Sequence, residues 1–365
     1  MIGSRWRAAT IALVVLAAAV IAAGCGSSNS SGGGGGGKTI ALLLPENQTA
    51  RYETHDKPDF QKRLKELCSD CKLLYSNATQ DATKQQSQAD AALTQGAKVL
   101  VLDPVDAGSA ATIVTKAKAQ NVPVISYDRL INSGDIKYYI SFDNARVGKL
   151  QAQSLDAKLK QMGKPTGPII MVNGDPADNN AKLFKQGAVT QFKADGVKIA
   201  KTFDTPGWLL SNAQNEAQQA ITALGNSGFA AIYGANDDMA GGSIAAMKSA
   251  GINPSTRPTT GQDASLAGVQ RILAGTQYMT VYKAVTQEAR DAADLAVAAA
   301  NNKQPSGLSL TQTPSKGKSI PSVILTPVAV VKSGIKGTIV KDNFWTVSQI
   351  CTSAFASACK SAGLQ

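Results

Sequence analysis

Five apolar runs in this chain each end in a short polar cluster. The sharpest is Val124-Ile125-Ser126-Tyr127-Asp128-Arg129, and the others end at Asn173 to Asn180, Ala235 to Asp238, Gln262-Asp263 and Tyr282-Lys283. An aspartate accepts two hydroxyl hydrogens, an arginine fork donates to hydroxyl or ring oxygens, and the amides of Asn180 and Asn236 do both at once. These types suit a neutral guest rich in hydroxyls, which also needs an aromatic plane under its C–H face.

Catalytic readings find little support. The only histidine, His55, lies beside Asp56 in a polar stretch without a recognisable nucleophile motif. Asp128 and Asp263 could in principle pair as glycosidase carboxylates, a matter of spatial separation. Asp237-Asp238 directly precedes Met239-Ala240-Gly241-Gly242, where acids favour a helix N-terminus. No metal site and no cofactor are expected. Gly32 to Thr39 matches the literal pattern of a nucleotide phosphate loop, but serines and glycines precede it and the strand-like Ile40 to Leu44 follows it, the reverse of the order that loop requires. The lysines are scattered without interleaved aromatics, so no nucleic-acid groove is indicated; attraction to an anionic cell surface accounts for the charge.

The elements that must position these residues alternate regularly. Apolar strand patterns at 39–44, 72–76, 98–102 and 122–126 are separated by helical patterns near 58–67, 81–95 and 108–120, with Pro58 in a first turn and Asp81 as a cap. A second set follows Tyr139-Ile140-Ser141-Phe142: strands at 168–172, 197–202, 229–233 and 278–282, helices near 146–161, 180–194, 211–224, 239–250 and 265–274. This is βαβ repetition, with strands apolar enough to be covered on both faces. The expectation is an α/β protein of two doubly wound parallel-sheet lobes that hinge about a central cleft, with ligand groups beyond the strand C-termini. The first lobe is expected to hold 38–141 plus about 283–310, the second 142–282 plus about 311–365.

The N-terminal end reads as an address. Arg5 and Arg7 precede an apolar stretch from Ala8 to Ala23, then Ala22-Ala23-Gly24-Cys25 and a Ser/Gly run, so 1–24 is expected to be a secretory signal. Small residues before the cysteine resemble the bacterial lipobox, with Ala22 standing where leucine is usual; that resemblance makes Cys25 a lipidated mature N-terminus and a membrane anchor. Residues 25–37 are expected to be a flexible tether whose glycine-rich part reaches on the order of 20 Å. The formal charge of +11 falls to about +9 when Arg5 and Arg7 leave with the signal (11 minus 2). The remaining cysteines form two local pairs, Cys68 with Cys71 and Cys351 with Cys359, which an exported chain can oxidise.

Several stretches together carry a family likeness: Tyr127-Asp128-Arg129-Leu130-Ile131-Asn132, Tyr139 to Asn144, Asp178 to Phe184, Gly261-Gln262-Asp263, and Ala274-Gly275-Thr276-Gln277 with Met279 to Lys283. In order, from about 120 to 285, the chain resembles the ribose-type sugar-binding proteins that feed ABC importers, its D-xylose-binding branch in particular. That resemblance implies the type I periplasmic-binding-protein fold, a monosaccharide ligand, an importer permease as membrane partner and a monomer. It also implies that Asp263 and Lys283 complete the polar contacts, that Trp208 stacks on the sugar, and that Arg51-Tyr52 supplies the second aromatic where the family commonly has tryptophan. A sugar-binding protein that presents its ligand to a signalling receptor would share this pocket. Trp345 is expected to pack rather than touch ligand, and Asp103 is a minor candidate near the cleft.

Overall fold

The computed structural model describes residues 38–365. The signal, Cys25 and the tether lie outside the described residues. Residues 38–365 lie in one compact unit whose cores are built from its own residues.

The first lobe opens with β1 (Thr39–Leu44), whose near-continuous apolar run is buried on both faces. Then follow α1 (Lys57–Leu67), β2 (Lys72–Asn77), α2 (Ala82–Thr94), β3 (Val99–Leu102), α3 (Ala111–Ala119), β4 (Val124–Tyr127) and β5 (Tyr138–Phe142). Pro58 sits in the first turn of α1 and the Asp81 side chain accepts from the Lys84 N–H to cap α2. The second lobe contains α4 (Asn144–Gln161), β6 (Ile169–Asn173), α5 (Asn179–Ala194), β7 (Ile199–Asp204), α6 (Leu210–Leu224), β8 (Ala231–Gly234), α7 (Asp237–Ser249), α8 (Leu266–Leu273) and β9 (Met279–Tyr282). The chain then returns to the first lobe through α9 (Val285–Ala300), β10 (Thr311–Ser315) and β11 (Lys318–Leu325) before β12 (Val328–Val331) pairs with β9.

The first sheet has the order β10-β11-β5-β4-β3-β1-β2, and the second lobe holds β7-β6-β8 together with the β12-β9 pair. Every pair in the first sheet is parallel except β10 with β11. Three segments, 142–144, 282–285 and 325–328, pass between the sheets and form the hinge.

One assignment is corrected: residues 311–325, expected with the second lobe, belong to the first. β11 pairs with β5 in the register Ser322↔Tyr139 to Leu325↔Phe142 and covers what would otherwise be an open sheet edge. Pro314 and Pro321 disguise both strands, because a residue without an N–H reads as a strand breaker; here they sit in the antiparallel β10–β11 pair at the sheet's margin. Helix α9 was also hidden, its alanine-rich pattern marking no boundary; Ala289, Ala292, Ala293 and Ala296 pack into the first-lobe core with Ile40, Leu42 and Val99.

Helices α4 and α5 meet through glycines. A Cβ at Gly148 would lie 1.8 Å from the Phe184 carbonyl oxygen, and one at Gly187 2.0 Å from that of Ala145. The Cys68 and Cys71 sulfurs, and those of Cys351 and Cys359, lie at bonding distance. Asp70 sits close to the first pair, the one three-ligand group among the described residues, but bonded cysteines have no thiolate to offer a metal. No described helix is long and apolar enough to cross a membrane.

Gly148→Ala is expected to force α4 and α5 apart and to destabilise the protein by about 1–3 kcal/mol in a denaturant titration. A second expectation concerns pH. At the start of α7, burial raises the Asp237 carboxyl to about 6, and burial together with the charge of Asp237 raises Asp238 to about 7. Both folded values lie above the unfolded one, so their stabilising contribution is full below about pH 4 and is lost as pH rises through about 7. Asp238→Asn should therefore make the fall in thermal midpoint between about pH 5 and about pH 8 shallower than in the wild type.

Candidate functional site

The loop that follows β1 carries Arg51 and Tyr52 into the cleft. Arg51 is buried with three carboxylates around its guanidinium: Asp56 binds Nε and Nη2 at 2.9 and 2.7 Å, Glu288 of α9 binds Nη2 at 2.7 Å, and Asp128 binds Nη1 at 3.0 Å. The Tyr127 hydroxyl donates to Asp56 on the far side. Burial alone would raise the Asp128 carboxyl, but Arg51, with Lys283 and Arg129, outweighs it and holds Asp128 below the usual carboxylate range. Glu288 goes the other way, pushed up by burial and then by the charge of Asp128.

Arg129 crosses the cleft. Its Nε lies 3.1 Å from Asp178 Oδ2 in the second lobe and 3.6 Å from Asp103 Oδ1, while Nη2 donates to the Tyr52 hydroxyl at 3.2 Å. Asp178 caps α5 by accepting from the Asn180 N–H and also accepts from the Trp208 indole N–H at 3.2 Å. Asn180 donates to Asp128 Oδ1 at 3.2 Å and accepts from Asn144 at 2.9 Å. A further bridge joins Gln80 to Asp175 at 2.8 Å. These contacts tie the lobes together in a closed arrangement.

Trp208 sits at a positive φ of 55° after Gly207, edge-on to Phe184 with ring centroids 6.4 Å apart. Its indole lies over Gly174, where a Cβ would come within 1.9 Å of the ring, so only glycine fits beneath it. Asn236 caps α7, its oxygen accepting from the Asp238 and Met239 N–H groups, which leaves the amide nitrogen to the cavity. Lys283, at the end of β9, pairs with Asp263 at 2.9 Å and lies 5.5 Å from the Phe142 ring centroid and 5.8 Å from that of Phe184. Burial would strip its charge, but Asp263 and then Asp128 raise its pKa and keep it an ammonium.

All nine residues singled out from the sequence, Arg51, Tyr52, Asp128, Arg129, Asn180, Trp208, Asn236, Asp263 and Lys283, line one cavity. Thr49, Asp178, Phe184 and Gln262 line it too. Asp178, Phe184 and Gln262 stood inside the stretches that carried the family likeness, and only their neighbours were chosen. Asp56 and Glu288, which hold Arg51, gave no local signal. Asp263 does not serve as the cap of α8, which is Ser265, and Lys283 is buried, at 3% exposed. Trp345 packs, as expected, its indole N–H donating to the Ala264 carbonyl at 2.8 Å beside Phe344, which stacks on His55.

The cavity is ringed by buried charge and amides with an indole and a phenyl ring in its wall, and holds no nucleophile–base pair among its lining residues. Of the two carboxyls that could have paired as glycosidase residues, Asp128 is held below the usual carboxylate range by Arg51 and Asp263 is ion-paired with Lys283.

Comparison with known proteins agrees. The family profile described as "Periplasmic binding protein domain" matches residues 40–304. The D-xylose-binding periplasmic protein of Escherichia coli is 38% identical over 300 residues, covering 81% of this chain and 87% of that one. Its counterpart in Haemophilus influenzae is 36% identical over 284 residues, 76% of this chain and 82% of the other. An ABC transporter solute-binding protein of Clostridium phytofermentans, solved with bound β-D-glucose, superposes with a TM-score of 0.76 at 27% identity, covering 86% of this chain and 100% of that one. On that match and those identities, the chain belongs to the periplasmic binding protein family and has its type I fold.

Proposed function

We propose that this protein captures one monosaccharide, D-xylose or a close relative, by closing its lobes around it, and delivers it to an ABC importer. The carrying observation is the composition of this cavity between the lobes: Arg51, Asp128 and Arg129 from the first, Asn180, Asn236 and Asp263 from the second, Lys283 from the hinge, and Trp208 with Phe184 in the wall. Hydrogen bonds to charged groups contribute about 1.5–3 kcal/mol each, so a handful outweighs the ordering cost of closure. Two relatives that bind D-xylose by name, at 38% and 36% identity, favour a pentose.

Closure is the output. A sugar that touches both lobes only when they are shut shifts the open and closed populations, and a permease that favours the closed face reads that shift. The reading includes a secretory signal at 1–24, a lipid on Cys25, and a body that works as a monomer on its tether outside the cytoplasm. The paired cysteines suit such an oxidising compartment.

Calorimetry on Trp208→Ala should show sugar affinity reduced about 30-fold or more, and Asp263→Asn should show a comparable loss, since both remove a group from the cavity wall. Unchanged affinity in either would remove that residue from the site. In a thermal-shift screen of pentoses, hexoses and polyols, D-xylose at about a hundred times its dissociation constant should stabilise by about 2.7 kcal/mol, a midpoint shift of about 4 °C. A screen in which no sugar shifts the midpoint would rule out the sugar reading.

A further inference from the structure

The loop from Gly261 to Ser265 carries Gln262 and Asp263 into the cavity by an uncommon backbone path. Asp263 and Ala264 are consecutive non-glycine residues at positive φ, 84° and 47°. Left-handed backbone is disfavoured for residues with a Cβ and persists only where surrounding contacts over-determine it. Some of those contacts come from the sheet: the Asp263 N–H donates to the Val281 carbonyl at 2.9 Å and the Ala264 N–H to the Thr280 hydroxyl at 3.1 Å. Two others come from side chains outside the cavity. The indole N–H of Trp345 donates to the Ala264 carbonyl at 2.8 Å, and Asp237 Oδ2 accepts from the Ser265 N–H at 2.8 Å.

Asp237 is seated for this task. Its carboxylate enters a cradle that two glycines keep open: a Cβ at Gly261 or at Gly268 would each lie 2.1 Å from one of its oxygens. Its other oxygen accepts from Gln277 Nε2 at 2.7 Å, and the Gln277 amide is oriented in turn by Arg271, whose Nε donates to Gln277 Oε1 at 3.0 Å. The Asp237 N–H also donates to the Gln262 carbonyl at 3.1 Å. Trp345 belongs to a C-terminal aromatic cluster in which Phe344 stacks on His55 with ring centroids 3.9 Å apart, so the same brace touches the turn that bears Tyr52 and Asp56 in the first lobe.

We propose that Asp237 and Trp345 are positioning residues for the ligand pocket: from opposite ends they hold the Gly261–Ser265 loop in its left-handed turn, and thereby set Asp263 against Lys283 and the cavity. This rests on the sugar-capture reading of that cavity. Neither residue is among those lining it, and their effect on the ligand passes through the Ala264 carbonyl and the Ser265 N–H.

The test uses variants that keep shape and remove one hydrogen bond. Trp345→Phe retains the aromatic packing and loses the donor to Ala264. Asp237→Asn fills the same cradle but turns an amide donor toward either Ser265 N–H or Gln277 Nε2. Each is expected to weaken D-xylose binding about three- to ten-fold by calorimetry, with a thermal midpoint in the absence of sugar close to that of the wild type. Ala264→Gly placed in the Trp345→Phe background should recover most of the lost affinity, because glycine adopts positive φ without the Cβ penalty. Affinities within about two-fold of wild type in both single variants, or a lower midpoint with unaltered affinity, would overturn the proposal and leave purely structural roles. So would failure of Ala264→Gly to restore binding. If the wild type itself binds no sugar, the sugar-capture reading fails instead, and the positioning claim falls with it for that separate reason.

Discussion

A guanidinium shut away from water must be surrounded by acceptors, and the seating of Arg51 organises the rest of this cleft. The carboxylates of Asp56, Asp128 and Glu288 reach it from the first loop, the end of β4 and the start of α9, segments far apart in the chain. Removing Arg51 would leave Asp56 and Asp128 buried without their counter-charge, and breaking a buried pair in that way costs several kcal/mol (about 3–5). The hinge end of α9 is therefore held against the first loop, and Asp128 is kept ionised and aimed into the cavity. Arg129 repeats the arrangement across the gap, where Asp178 answers it from the other lobe and at the same time caps α5 and orients the indole of Trp208.

Close backbone approach supplies the second half of the geometry. Gly148 lets α4 lie directly on the Phe184 carbonyl, Gly174 admits the Trp208 ring, and Gly261 with Gly268 admits the Asp237 carboxylate. In each case the missing Cβ belongs to one segment and the group that occupies its place to another, so the aromatic wall and the Asp263 loop are located by contacts that no single element could impose. Tight packing of this kind makes the second lobe behave as a rigid jaw, because a well-packed interior transmits displacement instead of absorbing it.

The proposed capture follows from that construction. Polar side chains already tied to one another keep their rotamers before a guest arrives, so less entropy is lost on binding. Because the charged groups are divided between two rigid bodies, a small hydroxyl-rich molecule held by both has its full set of contacts only when the jaws are shut.

Much of this could be read in the linear chain. The βαβ rhythm, the hinge after Phe142 and the polar residues at strand ends depend on local periodicity and on the rule that parallel strands present their C-termini to a cleft, so Asp128, Asn180 and Asn236 were legible without coordinates, while Asp263 and Lys283 rested on the family likeness. The return of 311–325 to the first sheet was not, because Pro314 and Pro321 mask the strand pattern and only the open edge of β5 gives those residues a partner. Nor were Asp56 and Glu288, whose importance comes from a charge many residues away. Sequence alone determined which chemical groups stand at the ends of which elements; the tertiary structure decided which of them share a charge, since Coulomb and hydrogen-bond partners in a dry interior are set by distance in space and not along the chain.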